Sequence, residues 1–364
     1  MKIVIITDLH LGKQNKTTRL IANLMEFLQT NKSIAKEIDM FVITGDVFDK
    51  LLATNSEAYN QITMFFTYLV GYCKYYNIIL RTLEGTPSHD NRQMVPVANT
   101  IKGLLVDIDY RHMDTLEIEY MSKYNKHMLY LPDKYKDSGE EIQNAMSDLL
   151  LEHGLNKVDM IFAHGNFNYQ LPIKLKSGLD EDFFISICRF YIIIGHIHNR
   201  SIWKTIIAPG SFDRLEVNQE IDKGGVFLSL GKDINSSTFK FLPNLVAMKV
   251  DTVDVRGMDN KQSYRLLNTH IRTNSLEQDD HLRIRTDTLI QFKELKERLV
   301  GDGNKLKIER FTESTIVNKT VQEVKAHSIT INEGNIYELL LSRNNIEKLS
   351  NTKKDRIKYL IKSM

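Results

Sequence analysis

Apolar and polar positions in the first half of the chain follow two alternating rhythms. "KIVIITD" (2–8), "DMFVITGD" (39–46) and "NIILRTLEG" (77–85) are short, nearly continuous apolar runs rich in β-branched residues, which predicts buried strands. Between them, "TTRLIANLMEFLQT" (17–30) places Leu20, Leu24, Phe27 and Leu28 at helical spacing. "SEAYNQITMFFTYLVGYCKYY" (56–76) reads as a longer helix. Strand, helix, strand, helix, strand is the rhythm of an α/β layered fold. Further strands are expected at "VDMIFAH", "FYIIIGH", "KTIIAPGS" and "GGVFLSL", with less helix between them, so part of the sheet is expected to be antiparallel or mixed.

"FKFLPNLVAMKV" (239–250) marks the exit from that region, and a weaker pattern follows. "AMKVDTVDV", "HLRIRTD" and "KLKIERF" are expected strands, and "KQSYRLLNTHI" and "LIQFKELKERLV" expected helices, with the turn "GDGN" at 301–304. This is a small α+β unit. "GNIYELLLSR" and "NTKKDRIKYLIKSM" then read as two amphipathic helices split at Asn344-Asn345. The expected organisation is a first domain over 1–243, a smaller α+β domain over 244–328 and a helical segment over 329–364.

A length of 364 residues favours more than one domain, and 42% hydrophobic with 26% charged residues describes a soluble globular chain. No segment approaches about 18 uninterrupted apolar residues, and the start lacks the pattern of a secretory leader, so no membrane partner is expected. Two cysteines, Cys73 and Cys188, both in apolar surroundings, exclude a disulfide scaffold and fit a cytoplasmic location. Net charge is only +2. The positive excess collects at the end: residues 343–364 hold 7 Lys and Arg against 2 Asp and Glu. A basic terminal segment suits a nucleic acid or an acidic partner, and equally a solvated helix face.

Candidate chemistry sits at the expected strand ends. "IITDLH" offers Asp8 and His10; "ITGDVFD" offers Asp46 and Asp49; "IFAHGNF" offers His164; "IIGHIHNR" offers His196 and His198. Sites in open α/β sheets form at the carboxyl ends of strands. In D-x-H and H-x-H, residues two apart in an extended backbone point to one side, so two donors can share a centre. Carboxylate with imidazole, and no thiolate, suits Mn²⁺, Fe²⁺ or Zn²⁺ better than Ca²⁺ or a structural zinc. Each motif alone is an ordinary strand end; their conjunction, with His89-Asp90 in "LEGTPSHDN", is not. His112, His127, His153, His270, His281 and His327 match no motif and read as surface or packing residues, and Trp203 and Phe212 as core.

The series D-x-H, G-D-x-x-D, H-D, a single His and G-H-x-H resembles the calcineurin-like metallophosphoesterases, whose motifs are D-x-H, G-D, G-N-H-[DE], a later His and G-H-x-H. The resemblance covers about residues 1–230. "APGSFDRLE" (208–216), the added α+β unit and the terminal helix pair resemble the Mre11/SbcD nuclease branch. The resemblance implies a layered α/β sandwich of mixed sheets flanked by helices, an α+β cap domain and a C-terminal helix pair. It implies two divalent ions, Mn²⁺ foremost. Asp8, His10 and His198 would hold the first; His164 and His196 the second; Asp46 would bridge them. His89 would be the catalytic histidine, oriented by Asp90, with Asp49 behind the ligands. The implied partners are DNA, a Rad50/SbcC-type ATPase bound through the C-terminal helices, and a second copy of the chain.

Aligned on His89-Asp90, Ser88 takes the place of the family's metal-binding Asn and Pro87 that of its Gly. A serine hydroxyl is a shorter and poorer ligand than an amide carbonyl. Asn91, Asn166, Thr86 or water are the alternatives for that place. The implied reaction is DNA phosphodiester hydrolysis in end processing, as exonuclease or endonuclease. Rival readings are a phosphoesterase acting on small diesters or phosphoproteins, against which Asp90 leans where protein phosphatases usually carry Glu, and a weakly active scaffold that binds DNA ends.

Overall fold

The computed structural model describes residues 1–13, 16–104, 108–133, 137–171, 175–216 and 221–311. The helix pair expected over 329–364 lies outside them.

The expected early elements form where the apolar runs lie. β1 (Lys2–Ile6), β2 (Met40–Thr44) and β3 (Ile79–Leu83) alternate with α1 (Thr17–Thr30) and α2 (Glu57–Tyr76). The Ser56 hydroxyl caps α2 by accepting from the Tyr59 N–H, and Asn77 ends it in the left-handed conformation that asparagine tolerates. The strands are apolar on both faces because both are covered. Val4, Ile6, Phe41 and Ile43 pack against α1 and α2, whereas Ile3, Ile5, Met40 and Val42 face a second sheet.

That second sheet is built from β5 (Glu117–Met121), β6 (Lys126–Leu131), β7 (Met160–His164), β8 (Ile192–Gly195), β9 (Ser201–Trp203) and β10 (Ile206–Ala208), in the order β5-β6-β7-β8-β10-β9. The first sheet is completed by β4 (Tyr110–Met113), β11 (Gly224–Ser229) and β12 (Thr238–Pro243), in the order β12-β11-β1-β2-β3-β4. Each sheet has parallel central strands and antiparallel strands at its edge, so both are mixed. Helices α3 (Met94–Leu104), α4 (Gly139–Glu152) and α5 (Glu181–Ile187) complete the covering layers. Leu129, Ile161, Ile192 and Ile194 form the face of the second sheet that packs under Ile142, Met146 and Phe184 of α4 and α5. The architecture is an α/β/β/α sandwich.

The stretch from β4 to β6 carries no clean apolar pattern, because its polar side chains pair with one another instead of with water. Arg81 of β3 is 2% exposed yet bonds through all three of its guanidinium nitrogens: to Glu119, to Asp109 and to the carbonyls of Leu80 and Asp109. Glu119 also accepts from Tyr130 and Arg111. This network joins β3 of one sheet to β5 and β6 of the other.

Beyond β12 a third sheet begins. β13 (Val250–Asp254), α6 (Asn260–Thr273), β14 (His281–Arg285), α7 (Leu289–Gly301) and β15 (Lys307–Arg310) alternate, and all three strands are parallel. Leu267, Leu282, Ile284, Leu295 and Leu299 form its own core. Buried carboxylates fasten it to the sandwich. Asp213 accepts from Asn23 Nδ2 (2.6 Å) and the Met248 N–H (2.7 Å), and Asp280 accepts from Arg19 Nη2 (2.6 Å) and the Lys249 N–H (2.9 Å).

Candidate metal centre

The carboxyl ends of β1, β2 and β3 in one sheet and of β7 and β8 in the other meet at a single edge. Past the strands, the β1 and β2 loops continue side by side: the Asp8 N–H donates to Gly45 O, His10 to Asp46 O and Leu11 to Val47 O. The two sheets touch here. His164 Nδ1 donates to Thr44 O at 2.7 Å, and a Cβ on Gly195 would fall 2.2 Å from Thr7 Oγ1, so only glycine permits the approach. A Cβ on Gly85 would likewise lie 2.1 Å from the Asp46 nitrogen.

Among the described residues three donor clusters result, one of them His10 with Asp49 and His89; the other two meet at Asp46. Asp8, His10 and His198 bring ligand-type atoms within 4.8 Å of one another, and so do Asp46, His164 and His196. Asp46 stands between them: one oxygen is 3.3 Å from His164 Nε2 and the other 3.8 Å from His10 Nε2. His10 Nε2 and His198 Nε2 face each other at 3.0 Å. His196 is joined to the first cluster through its backbone, whose N–H donates to Asp8 at 3.0 Å.

The reason the motif residues converge differs from the extended-backbone expectation. Asp8 (φ 52°), His10 (φ 47°), Asp46 (φ 49°) and His196 (φ 107°) all have positive φ. Side chains two apart in D-x-H therefore converge by left-handed turns and not by the pleat of a strand. Such conformations cost on the order of 1–3 kcal/mol each for non-glycine residues and collect at functional sites.

The electrostatics suit cation binding. Burial, with positive neighbours adding, lowers His196 to about 4 and His198 to about 3, so both are neutral lone-pair donors at pH 7. Burial also opposes charge on His164, but the carboxylates of Asp46 and Asp8 outweigh it and raise the imidazole to about 10. Asp46 is held below the usual carboxylate range despite its burial, chiefly by His164. Burial raises Asp8. Four imidazoles and two carboxylates with no thiolate, folded around close nitrogen–nitrogen contacts, fit divalent ions of the Mn²⁺, Fe²⁺ or Zn²⁺ type.

The loop after β3 departs from the expected register. Thr86, and not Ser88, lies among the second cluster: its hydroxyl is 3.3 Å from Asp46 Oδ2, 3.3 Å from His164 Nε2 and 3.1 Å from His196 Nδ1, and its N–H donates to Asp46 Oδ1 at 2.6 Å. Residues 87–90 form a turn in which the His89 and Asp90 N–H groups both donate to Thr86 O. Ser88 lines a cavity of about 450 Å³ that also borders Thr86, His164 and His196, with Pro87, Asn91 and Asn166 in its wall. The signal for Thr86 was available. It follows Gly85 directly, as Asn follows Gly in the family motif, and counting forward from the glycine instead of back from the histidine finds it.

Asp90 also takes a different place from the one implied. Its carboxylate accepts from the Phe48 N–H (2.8 Å) and the Gly85 N–H (2.7 Å), so it ties two loops together. Burial, with Asp46 and Glu84 adding, pushes it well above the usual carboxylate range. The His89 ring is held by Asp49: Nδ1 donates to the Asp49 carbonyl, and the ring stands edge-on to His10 at 4.7 Å between centroids. The Asp49 carboxylate lies 3.4 Å from His10 Nδ1, a carboxylate behind a candidate ligand.

Behind His198, Lys223 Nζ donates to the His198 carbonyl (2.8 Å) and to Ser211 Oγ (3.0 Å). Ser211 belongs to "APGSFDRLE", so that motif braces the loop that carries His198. Of the aromatic residues expected in the core, Phe212 is buried, but Trp203 is half-exposed and stacked on Tyr169.

Residues 1–200 match the family model described as calcineurin-like phosphoesterase. The chain belongs to that family. Calcineurin-like phosphoesterases are metal-dependent phosphoester hydrolases, and the donor set at the sheet edge is of the kind this chemistry needs. No curated protein matches the chain. Among solved structures, one chain is similar at 10% identity over 66% of this protein and 98% of its own length, with a TM-score of 0.40. Another is TT1561 of Thermus thermophilus, at 7% identity over 66% and 98%, with a TM-score of 0.39. No helix among the described residues is long and apolar enough to cross a membrane.

Proposed function

We propose that this phosphoesterase is a DNA nuclease of the Mre11/SbcD type. The observation that carries the reading is the pair of donor clusters sharing Asp46, with His89 beside the first. The added third sheet and the Pro209-Gly210-Ser211 segment bracing His198 support the nuclease branch over other phosphoesterases. Asp8, His10 and His198 would hold one ion and Asp46, His164 and His196 the other, with Mn²⁺ as the expected metal. When bound, such ions supply Lewis acidity toward phosphate oxygens.

The protein's own residues do the rest. A backbone carbonyl can only accept, so the bond from His89 to Asp49 O fixes the proton on Nδ1. Nε2 is then the atom that takes up or gives a proton, and it can deliver one to the leaving 3′ oxygen. Asp90 holds the loop that carries His89 against the β2 loop through Phe48. Substrate positioning is assigned to backbone phosphates, which carry no sequence information, so cleavage is expected to be sequence-tolerant. A Rad50/SbcC-type ATPase bound by residues 329–364 and a second copy of the chain are the proposed partners.

Purified protein with Mn²⁺, offered linear duplex DNA, bis-p-nitrophenyl phosphate and a phosphopeptide, tests this. DNA degradation that fails in chelator is the expected result. Turnover of the phosphopeptide alone, or of the small diester alone, replaces the nuclease reading with the corresponding rival.

A further inference from the structure

We propose that Thr86 closes the second metal site of this protein through its hydroxyl, in the place where the family motif puts an asparagine amide. The proposal rests on reading the cluster as a metal centre. Three observations carry it. The first is convergence: Asp46 Oδ2, His164 Nε2 and His196 Nδ1 all lie 3.1–3.3 Å from Thr86 Oγ1. A hydroxyl has one hydrogen and can satisfy one of these three atoms as a donor. Asp46 Oδ2, His196 Nδ1 and, once it gives up its proton, His164 Nε2 turn lone pairs inward with the hydroxyl oxygen, which is the arrangement a cation resolves.

The second observation is that the loop is built to hold Thr86 there. Its N–H is fixed on Asp46 Oδ1 at 2.6 Å, and Gly85 before it can approach Asp46 only because it lacks a Cβ. The third is the fate of the two residues that separate Gly85-Thr86 from His89-Asp90. Pro87 and Ser88 are taken up in the turn closed on Thr86 O, and Asp90 returns to the Gly85 N–H at 2.7 Å. The insertion is spliced out of the site, so the motif reads Gly-Thr, a two-residue turn, then His-Asp. The short threonine side chain reaches the cluster because its backbone is drawn in by the bond to Asp46.

The test is Mn²⁺ titration by calorimetry, with wild type, Thr86→Val, Thr86→Asn and Ser88→Ala compared. Thr86→Val keeps shape and backbone bonds and removes only the hydroxyl. It should weaken one of two sites by on the order of 10–100-fold and leave the other unchanged. Ser88→Ala should bind both ions as wild type does. Thr86→Asn should keep the weaker site or strengthen it, since the amide offers the ligand the family uses. Unchanged binding in Thr86→Val overturns the assignment, and weakening in Ser88→Ala moves it to Ser88. If wild type binds neither Mn²⁺ nor Zn²⁺, the metal-centre reading itself falls, and that outcome is visible before any variant is measured. Circular dichroism melts of each variant separate a lost ligand from a lost fold.

Discussion

Asp8 and His10 come from one short motif, two residues apart, and only His198 joins them from a distance, whereas Asp46, His164 and His196 come from three separate strand ends and need a fourth loop to close around them. Two of the first cluster's three donors are therefore neighbours in sequence, whereas those of the second are neighbours only in space. A D-x-H or G-H-x-H motif can be read without knowing the fold. A site assembled by β2, β3, β7 and β8 can be read only if the register of every contributing loop is right, and the two residues between Thr86 and His89 are enough to shift the side chain expected beside the cluster from Thr86 to Ser88.

The sharpest way to break the comparison is to remove what the clusters share. Asp46 has one oxygen toward each, so Asp46→Ala should disable both sites together. Several kcal/mol of charge stabilisation are at stake, and turnover of a diester should fall by at least about a thousandfold. Metal analysis of the purified variant should show loss of both ions. Loss of one ion with the other retained would mean that the clusters are independent and that Asp46 belongs to the second alone.

His89 tests whether a residue beside the first cluster is ligand or catalyst. His89→Ala should keep its metal content and lose turnover by about 10²–10⁴-fold, the range for general acid–base groups. Metal content lost in step with activity would place His89 in the first coordination sphere, a role that its nearness to His10 and Asp49 makes geometrically open.

Much of this was legible in advance, for reasons particular residues show. The strands that read as continuous apolar runs are those buried on both faces, such as β1 with Val4 toward the helices and Ile5 toward the other sheet. The β5–β6 hairpin and α4 gave no comparable signal; Glu117 and Glu119 look solvated on paper but are paired with Arg111 and Arg81. At the site, the gathering of these side chains was readable because Asp and His recurred at strand ends. Roles within the His89-Asp90 pair were not, because they depend on which backbone atoms stand opposite. His89 meets the Asp49 carbonyl, and Asp90 meets two N–H groups, neither of which a side-chain motif encodes.

Asp90 then separates loop architecture from chemistry. Asp90→Ala leaves the Phe48 and Gly85 N–H groups without their buried acceptor, at about 1–3 kcal/mol each. Denaturant melts should show a loss of about 2–6 kcal/mol on that basis. Asp90→Asn keeps one acceptor oxygen and should lose about half as much. If both variants melt like wild type and lose only kcat, Asp90 acts on His89 after all.

Per unit of pH the smallest effect is expected, at most about tenfold, and it distinguishes the clusters by their protons. His196 and His198, lowered to about 4 and about 3, have no proton to give up at pH 7. His164, raised to about 10 by Asp46 and Asp8 against its burial, carries one, and an ion can take its Nε2 only by expelling that proton. Affinity at the second site should therefore climb by up to about tenfold per pH unit from neutral pH toward 10 and level off there. Calorimetry in two buffers of different ionisation enthalpy at about pH 8 should register about one proton released on filling that site. The metal-free protein should respond in the opposite sense. A folded value raised above the unfolded 6.5 gives stability that is complete below 6.5 and is lost as pH rises through 10, so the apo melting temperature should fall over the interval in which metal binding tightens. A His164→Asn variant should flatten both curves. A second site whose affinity is level from about pH 7 to 10 in wild type would show that His164 is already neutral in the metal-free protein.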